Sequence, residues 1–463
     1  MNADVIVIGG GPGGYVAAIK SAINGKSVIL IEKDQVGGTC LNRGCIPTKA
    51  LIHCADVLDT VKGSGDCGIE VSDYQIDTKK INTYKNLVVK KLVGGVSYLL
   101  NKRGVQVIPG TAVFSGIKEL TVTQNDGKKT VLSAESIIIA VGSESARPPI
   151  PGLDGKNVIT STEALDVETL PKSLAIIGGG VIGMEIGSIY AKFGVEVTVL
   201  EALSHIVPSI DNDVREVLFH TAEKIMTIEI GAMVKEIQDA DNQKKVVYES
   251  GGERRECSAE KVMVCVGRRP NTKELGLETA GVQVNKRGYI QVNSHYETTA
   301  PGVYAIGDVN GQVLLAHAAS AQGIYVADRI SGKKGGINTK LIPSCIYTKP
   351  EIACVGKTED DLKKENIPYN VGKFPLSGNG KALSMGEPEG FVKILTGKTY
   401  GEILGAHIVG ARATDLIGEL ALAIDAECTA EEIIHTVHPH PTISEAIFEA
   451  AELSFNGQTV HII

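Results

Sequence analysis

The sequence predicts an α/β chain with two doubly wound, parallel-sheet units and a C-terminal α+β domain. Three observations predict it. One pattern of strand, glycine turn, helix, strand and acid occurs twice, and the texture changes after about residue 341. The chain also holds 53 glycines in 463 residues, where average usage would give about 32. Its length exceeds the ~250–300 residues at which a single core stops growing, so several domains are expected.

The first strand, Asp4 to Ile8, runs into Gly9-Gly10-Gly11, and a second strand from Val28 ends at Glu32. The same order returns at Leu174 to Ile177, Gly178-Gly179-Gly180 and Val197 to Glu201. Gly9, Gly11 and Gly14 have the G-x-G-x-x-G spacing, and so do Gly178, Gly180 and Gly183. In a Rossmann-like unit the first glycine allows the tight turn and the second admits a pyrophosphate. The third lets the helix pack on its strand. The helix N-terminus then faces phosphate. Glu32 and Glu201 each lie 18 positions past the third glycine, where an acid suits a ribose hydroxyl. Two dinucleotide-binding units predict two dinucleotides. No arginine occurs in Ala202-Leu203-Ser204-His205, so the second site is expected to prefer NAD to NADP.

Further strands end at Gly142 and Gly267, and Tyr304 to Gly307-Asp308 is a strand ending in an acid. Beyond residue 341, strands such as Phe391 to Leu395 alternate with amphipathic helices such as Ala413 to Ala426, without a nucleotide motif. The expected segments are 1–146 and 147–270 for the two nucleotide units, 271–341 as a central segment, and 342–463 as the last domain.

Gly37-Gly38-Thr39-Cys40-Leu41-Asn42-Arg43-Gly44-Cys45-Ile46-Pro47-Thr48-Lys49 follows Glu32 inside the first unit. Two cysteines five apart can meet if the local helix is distorted at Gly44. Cys45 and Lys49 share a helix face. Arg43 is expected to favour thiolate. Two unrelated buried thiols, a metal site with His53 and Cys54, and a redox-active disulfide all use these residues. The metal spacing is wrong for a zinc knuckle, and a redox-active pair suits the setting beside a nucleotide site best.

The formal charge of −8 and an aromatic content of 4% argue against a nucleic-acid or anionic-membrane surface. No apolar stretch is long enough and free enough of charge to span a bilayer; the run around Leu174 to Tyr190 carries Glu185. The amino terminus lacks a basic n-region, so no signal peptide is expected. Nine cysteines is an odd number in a long chain, which points to reducing cytoplasm rather than a secreted disulfide framework.

Together the two fingerprints, the Cys-x4-Cys pair, Gly307-Asp308 and the C-terminal His438-Pro439-His440-Pro441-Thr442-Ile443-Ser444-Glu445 resemble the flavoprotein pyridine nucleotide–disulfide oxidoreductases. The resemblance covers essentially the whole chain and is strongest to members that oxidise dihydrolipoamide with NAD. It implies FAD in the first unit, with Asp308, Leu314, Ala316 and His317 completing the flavin site. Thr39, Ala112, Gly142 and Gly267 are implied as further cofactor contacts, and NAD is implied in the second unit. It implies a Cys40–Cys45 redox disulfide and a Lys49–Glu185 pair beside the flavin. An unpaired carboxylate at Glu185, in an otherwise apolar helix, would be costly.

His440 and Glu445 are implied as an acid–base dyad supplied by the other subunit of a homodimer, with 342–463 as the dimerisation domain. A dithiol with pKa near 8.5 must lose a proton to attack a disulfide. Histidine is poised to take it, and a carboxylate on the other ring nitrogen fixes the tautomer. The implied partners are lipoyl domains of 2-oxoacid dehydrogenase acyltransferase cores or of a glycine cleavage carrier. No metal, nucleic-acid or membrane partner is expected. The alternatives are an NAD(P)H-dependent reductase of another disulfide, or a non-catalytic flavoprotein sensor or scaffold. Glutathione reductases would want an arginine after the second fingerprint. Arg43 stands where valine is frequent, and Cys345 and Cys354 stand where apolar or aromatic residues are usual; both cysteines are expected to be ordinary buried thiols.

Overall fold

The computed structural model describes residues 2–334 and 336–461. The chain divides into two compact units. The first comprises residues 1–149, 159–170 and 264–339; the second comprises 150–158, 171–263 and 340–463.

In the first unit, four strands run parallel in the order Val28–Glu32, Asn2–Ile8, Lys129–Ile139, Val303–Ala305. Ile6 sits between Ile29 and Ile137 in register. The strand Gln106–Gly116 pairs in parallel with Val28–Glu32. It then extends past the sheet into an antiparallel meander with Glu119–Gln124, which Lys129–Ile139 also joins. The central strands are apolar without alternation because both faces are covered. Ile6, Ile8, Ile29, Ile31, Ile137 and Ile139 face the meander residues Phe114, Leu120 and Leu132. The intervening Val5, Val7, Val28, Leu30 and Ile138 pack with Ala17, Ala18, Leu100 and Val326 of helices. The glycine turn after Ile8 therefore emerges at the carboxyl edge of a parallel sheet, where such folds bind ligands.

The second unit repeats this plan. Its parallel ladder joins Thr227–Ile230 to Glu196–Glu201 and Glu196–Glu201 to Ser173–Ile177. A three-stranded antiparallel sheet spans Met233–Ala259. After Lys340 come a five-stranded antiparallel sheet and the helices Ala413–Asp425 and Glu445–Asn456. The α/β class with a C-terminal α+β portion is thus the observed architecture.

Lys393 is 1% exposed, yet its Nζ bonds Asp211 Oδ1 at 2.9 Å, Asp213 Oδ2 at 3.1 Å and Glu359. Burial pushes this lysine toward neutrality, but the bonds to Glu359 and Asp211 outweigh it and hold the ammonium above the ordinary lysine range. A buried charge is tolerated here because three acceptors surround it. Cys354 lies nearby, and burial pushes its thiol up to about 12, with Asp211 adding to the rise. It carries no thiolate at neutral pH.

Candidate active site

The two glycine turns are copies of one geometry. Gly9 has φ +99° and Gly178 has φ +111°, a region that favours glycine. Gly11 caps the helix Pro12–Ile23 at φ −70°, ψ −177°, and Gly180 caps Val181–Lys192 at φ −73°, ψ −179°. Neither cap supplies a side-chain acceptor, so the leading helical N–H groups are left for a ligand. Glu32 Oε2 accepts from Gly10 N at 2.6 Å and Oε1 from Asp34 N at 2.8 Å. Glu201 does the same with Gly179 N at 2.6 Å and Leu203 N at 2.7 Å. Each acid thus sits at the rim of its glycine turn, with further lone pairs for a ribose hydroxyl.

The reason for glycine differs by position. A Cβ on Gly14 would lie 1.8 Å from Gly9 O, so close packing of helix on turn demands glycine there. A Cβ on Gly11 would meet nothing closer than 3.9 Å, and one on Gly180 nothing within 4 Å. The chain's own packing does not require those two glycines. A pyrophosphate against the backbone would, and in this respect the residues fit the two dinucleotides. Gly14→Ala is expected to open the first turn, at about 1–3 kcal/mol for the overpacking, and to yield protein with little bound flavin. Gly180→Ala is expected to keep flavin and melting temperature and to weaken NADH binding. The flavin absorbance ratio, thermal melts and NADH titrations check both.

The cysteine segment forms two helices rather than one. Gly38–Arg43 ends at Gly44, whose φ −150° and ψ −113° break the helix, and Cys45–Lys62 begins immediately after. Cys40 and Cys45 lie on opposite sides of this break and are hydrogen-bonded as thiols. The bond to Cys45 raises the Cys40 pKa far above the ordinary thiol range, burial adds to it, and Lys49 opposes it. Arg43 departs from expectation. It ends its helix ion-paired to Asp34, and the cation acting on Cys40 is Lys49. The His53 ring lies tilted to that of Tyr84, with centroids 6.2 Å apart, and among the described residues no group of three or more His, Cys, Asp or Glu could hold a metal ion.

Asp308 opens a short helical turn, Gly307–Asn310. Its carboxylate accepts from Ser143 Oγ, and Arg268 Nε lies 3.5 Å away. Arg268 also donates to Ser143 Oγ at 2.7 Å and to Ser143 O at 2.6 Å. Buried Gln322 accepts from Gly307 N at 2.8 Å and Asn310 Nδ2 at 3.0 Å, which fixes the turn. Nothing local in the sequence marks Ser143, Arg268 or Gln322 for this role. The ladder pairing Arg268 with Ser145 across 123 positions brings these segments together, and only Gly142 and Gly267 hinted at it. Leu314, Ala316 and His317 lie at the start of Ala316–Ile330, whose N-cap Leu315 offers no side-chain acceptor. Thr39 is exposed, whereas the Ala112 side chain is in the apolar core, so only its backbone can meet a cofactor.

In the second unit, Glu185 is buried on Val181–Lys192 and accepts from Tyr347 N at 2.9 Å. His440 Nδ1 lies 2.9 Å from Glu445 Oε1, and Glu445 Oε2 accepts from Thr442 N at 2.8 Å. Burial pushes the Glu445 carboxyl up, but the Thr442 N–H and His440 together hold it below the usual carboxylate range. Asn379 braces the loop through Thr442 O at 3.0 Å. The imidazole is 80% exposed, so the ring is oriented on one side and open on the other.

Residues 3–323 match the family model of pyridine nucleotide-disulphide oxidoreductases, and residues 342–451 match the dimerisation domain of the same family. The chain belongs to the pyridine nucleotide-disulphide oxidoreductases. It is 42% identical to a dihydrolipoyl dehydrogenase of Thermus scotoductus, with 99% of each chain covered. It is 40% identical to one of Bacillus subtilis, covering 100% of this chain and 98% of the other. It is 41% identical to a mitochondrial one of Dictyostelium discoideum, covering 97% and 93%. Among solved structures, LpdA of Mycobacterium tuberculosis aligns with a TM-score of 0.90 at 28% identity over 97% of this chain and 99% of that one. The protein is an oxidoreductase whose cofactors are FAD and NAD, and it carries the family's dimerisation domain. No helix among the described residues is long and apolar enough to cross a membrane.

Proposed function

We propose that the protein is a dihydrolipoyl dehydrogenase, oxidising protein-bound dihydrolipoamide to lipoamide and reducing NAD to NADH. The observation that carries this reading is the full-length likeness, at about 40% identity, to bacterial and mitochondrial enzymes of that name. The substrate arm would be presented by lipoyl domains of 2-oxoacid dehydrogenase cores or of a glycine cleavage carrier, in the cytoplasm. The working unit would be a homodimer whose site is shared across the interface, with residues 1–146, 147–270, 271–341 and 342–463 as FAD, NAD, central and interface segments.

The site residues then take the following roles. The turn at Gly9, Gly11 and Gly14, with Glu32, Asp308 and the start of Ala316–Ile330, would hold FAD; the turn at Gly178, Gly180 and Gly183, with Glu201, would hold NAD. FAD held there would supply a two-electron acceptor for the cysteine dithiol and a hydride donor to NAD. His440 of the partner subunit removes the proton of one substrate thiol. The thiolate attacks Sγ of Cys40, the Cys40–Cys45 bond breaks, and Cys45 leaves as thiolate. The second substrate thiol gives up its proton and attacks the substrate sulfur bound to Cys40. That closes the lipoamide ring and releases Cys40, which ends protonated. Cys45 and Lys49 share a helix face, which suits a thiolate on Cys45. Lys49 and Glu185 would pair beside the flavin.

Steady-state rates with dihydrolipoamide and NAD, glutathione disulfide and NADPH, and thioredoxin are expected to differ by orders of magnitude in favour of the first pair. Preference for either other pair would overturn the substrate assignment.

A further inference from the structure

A second histidine–carboxylate pair stands beside His440, and its chemistry differs. His438 Nε2 lies 2.9 Å from Glu419 Oε1, on the helix Ala413–Asp425, and Nδ1 lies 3.0 Å from the carbonyl oxygen of Thr436. A carbonyl oxygen can only accept, and so can an ionised carboxylate. A neutral imidazole has one N–H and would leave one ring lone pair facing an acceptor lone pair. Only the doubly protonated ring satisfies both contacts. The His438 side chain is 6% exposed and flanks the Phe448 ring at 6.4 Å. His440 is the opposite case, 80% exposed with its bond to Glu445 at one nitrogen.

We propose that His438 is a standing imidazolium, ion-paired to Glu419, whose charge opposes a positive charge on His440 and so keeps that ring neutral until a substrate thiol arrives. His438 is a positioning residue for the dyad and not a second base. The inference rests on the assignment of His440 as the acceptor of the dithiol proton. The charged groups around His438 agree with it. Glu419 raises its proton affinity foremost, burial opposes, and Glu445 adds to the rise. Glu445 in turn feels His440 and His461, and His461 is bonded to buried Glu449 one turn along Glu445–Asn456. Without His438, two carboxylates would face His440 and His461 with no fixed cation among them. A like charge nearby disfavours protonation, and His438 stands two residues before His440.

The test is the pH dependence of flavin reduction by dihydrolipoamide in the wild-type holoenzyme and in His438→Gln. The rate climbs with pH as His440 loses its proton. His438→Gln is expected to move the midpoint of that climb to higher pH by roughly half a unit, the size expected of one screened charge. A variant that lost only loop geometry would lower the rate at every pH and leave the midpoint in place, and that result, or a shift to lower pH, would overturn the proposal. Nitrogen-15 spectra of histidine-labelled wild-type protein give a second readout that needs no variant. Both His438 ring nitrogens are expected to carry protons at pH 7.5, and a neutral ring there refutes the charge assignment. His440→Gln separates the two layers. If it leaves flavin reduction by dihydrolipoamide intact, the parent assignment fails; if it blocks that step while His438→Gln leaves the midpoint unmoved, only the present inference fails.

Discussion

Cys45→Ser is expected to lower dihydrolipoamide-dependent NAD reduction by on the order of 10⁴ or more, because no disulfide can then form to receive the substrate's electrons. Serine is close to isosteric, and Cys45 is exposed at the first position of its helix, so folding and flavin content should hold. The remaining Cys40 offers a second measurement. Its strongest proton-retaining influence in the wild type is the bond to Cys45. Weakening that bond should make the Cys40 thiol more acidic, because a cause of the upward shift is reduced while the Lys49 charge stays. Alkylation of Cys40 by iodoacetamide at pH 8 should therefore be faster in Cys45→Ser than in the reduced wild-type enzyme. Retention of full dithiol–NAD activity in this variant would refute the disulfide mechanism.

His440→Gln is expected to slow flavin reduction by dihydrolipoamide by about 10²–10⁴, the range for removal of a positioned general base. Reduction of the flavin by NADH should stay within a few-fold, because no thiol proton is taken in that half-reaction. Rapid-mixing measurements of the two half-reactions check the split, and equal losses in both would contradict the assignment. The deficit should also shrink as pH rises toward the thiol's own ionisation near 8.5, since hydroxide then supplies what the base no longer does. Glu445 sharpens the expectation. Its carboxyl is held below the usual range, so it remains an anion throughout this pH span and stabilises the imidazolium formed on proton uptake.

Much of this was legible because the informative groups are local in sequence. A βαβ unit with its glycine turn spans about thirty residues, so Gly9 to Glu32 and Gly178 to Glu201 could be read whole. The break at Gly44 and the i,i+4 relation of Cys45 to Lys49 are equally local, as is the five-residue step from His440 to Glu445. Arg43 misled for a reason that is also local. It lies close to both cysteines in sequence, but its side chain runs to Asp34, and a helix break separates it from Cys45. Most of the residues missed have distant partners. Ser143 meets Arg268 across 125 positions, and Lys393 meets Asp211 across 182. Nothing in their immediate neighbours marks them.

The sequence alone determined the class of fold, the two dinucleotide units, the cysteine pair and the histidine–glutamate pair. Each of these is a short-range pattern imposed by backbone sterics, helix periodicity or the reach of one side chain. The tertiary structure decided which cation acts on Cys40, what braces Asp308, why Gly14 and Gly180 are glycine for different reasons, and that a second histidine, His438, sits between two acceptors. Those are questions of which atoms meet after the chain has folded. Bonds between segments more than a hundred residues apart are set by packing of sheets and helices, and no local spacing records them.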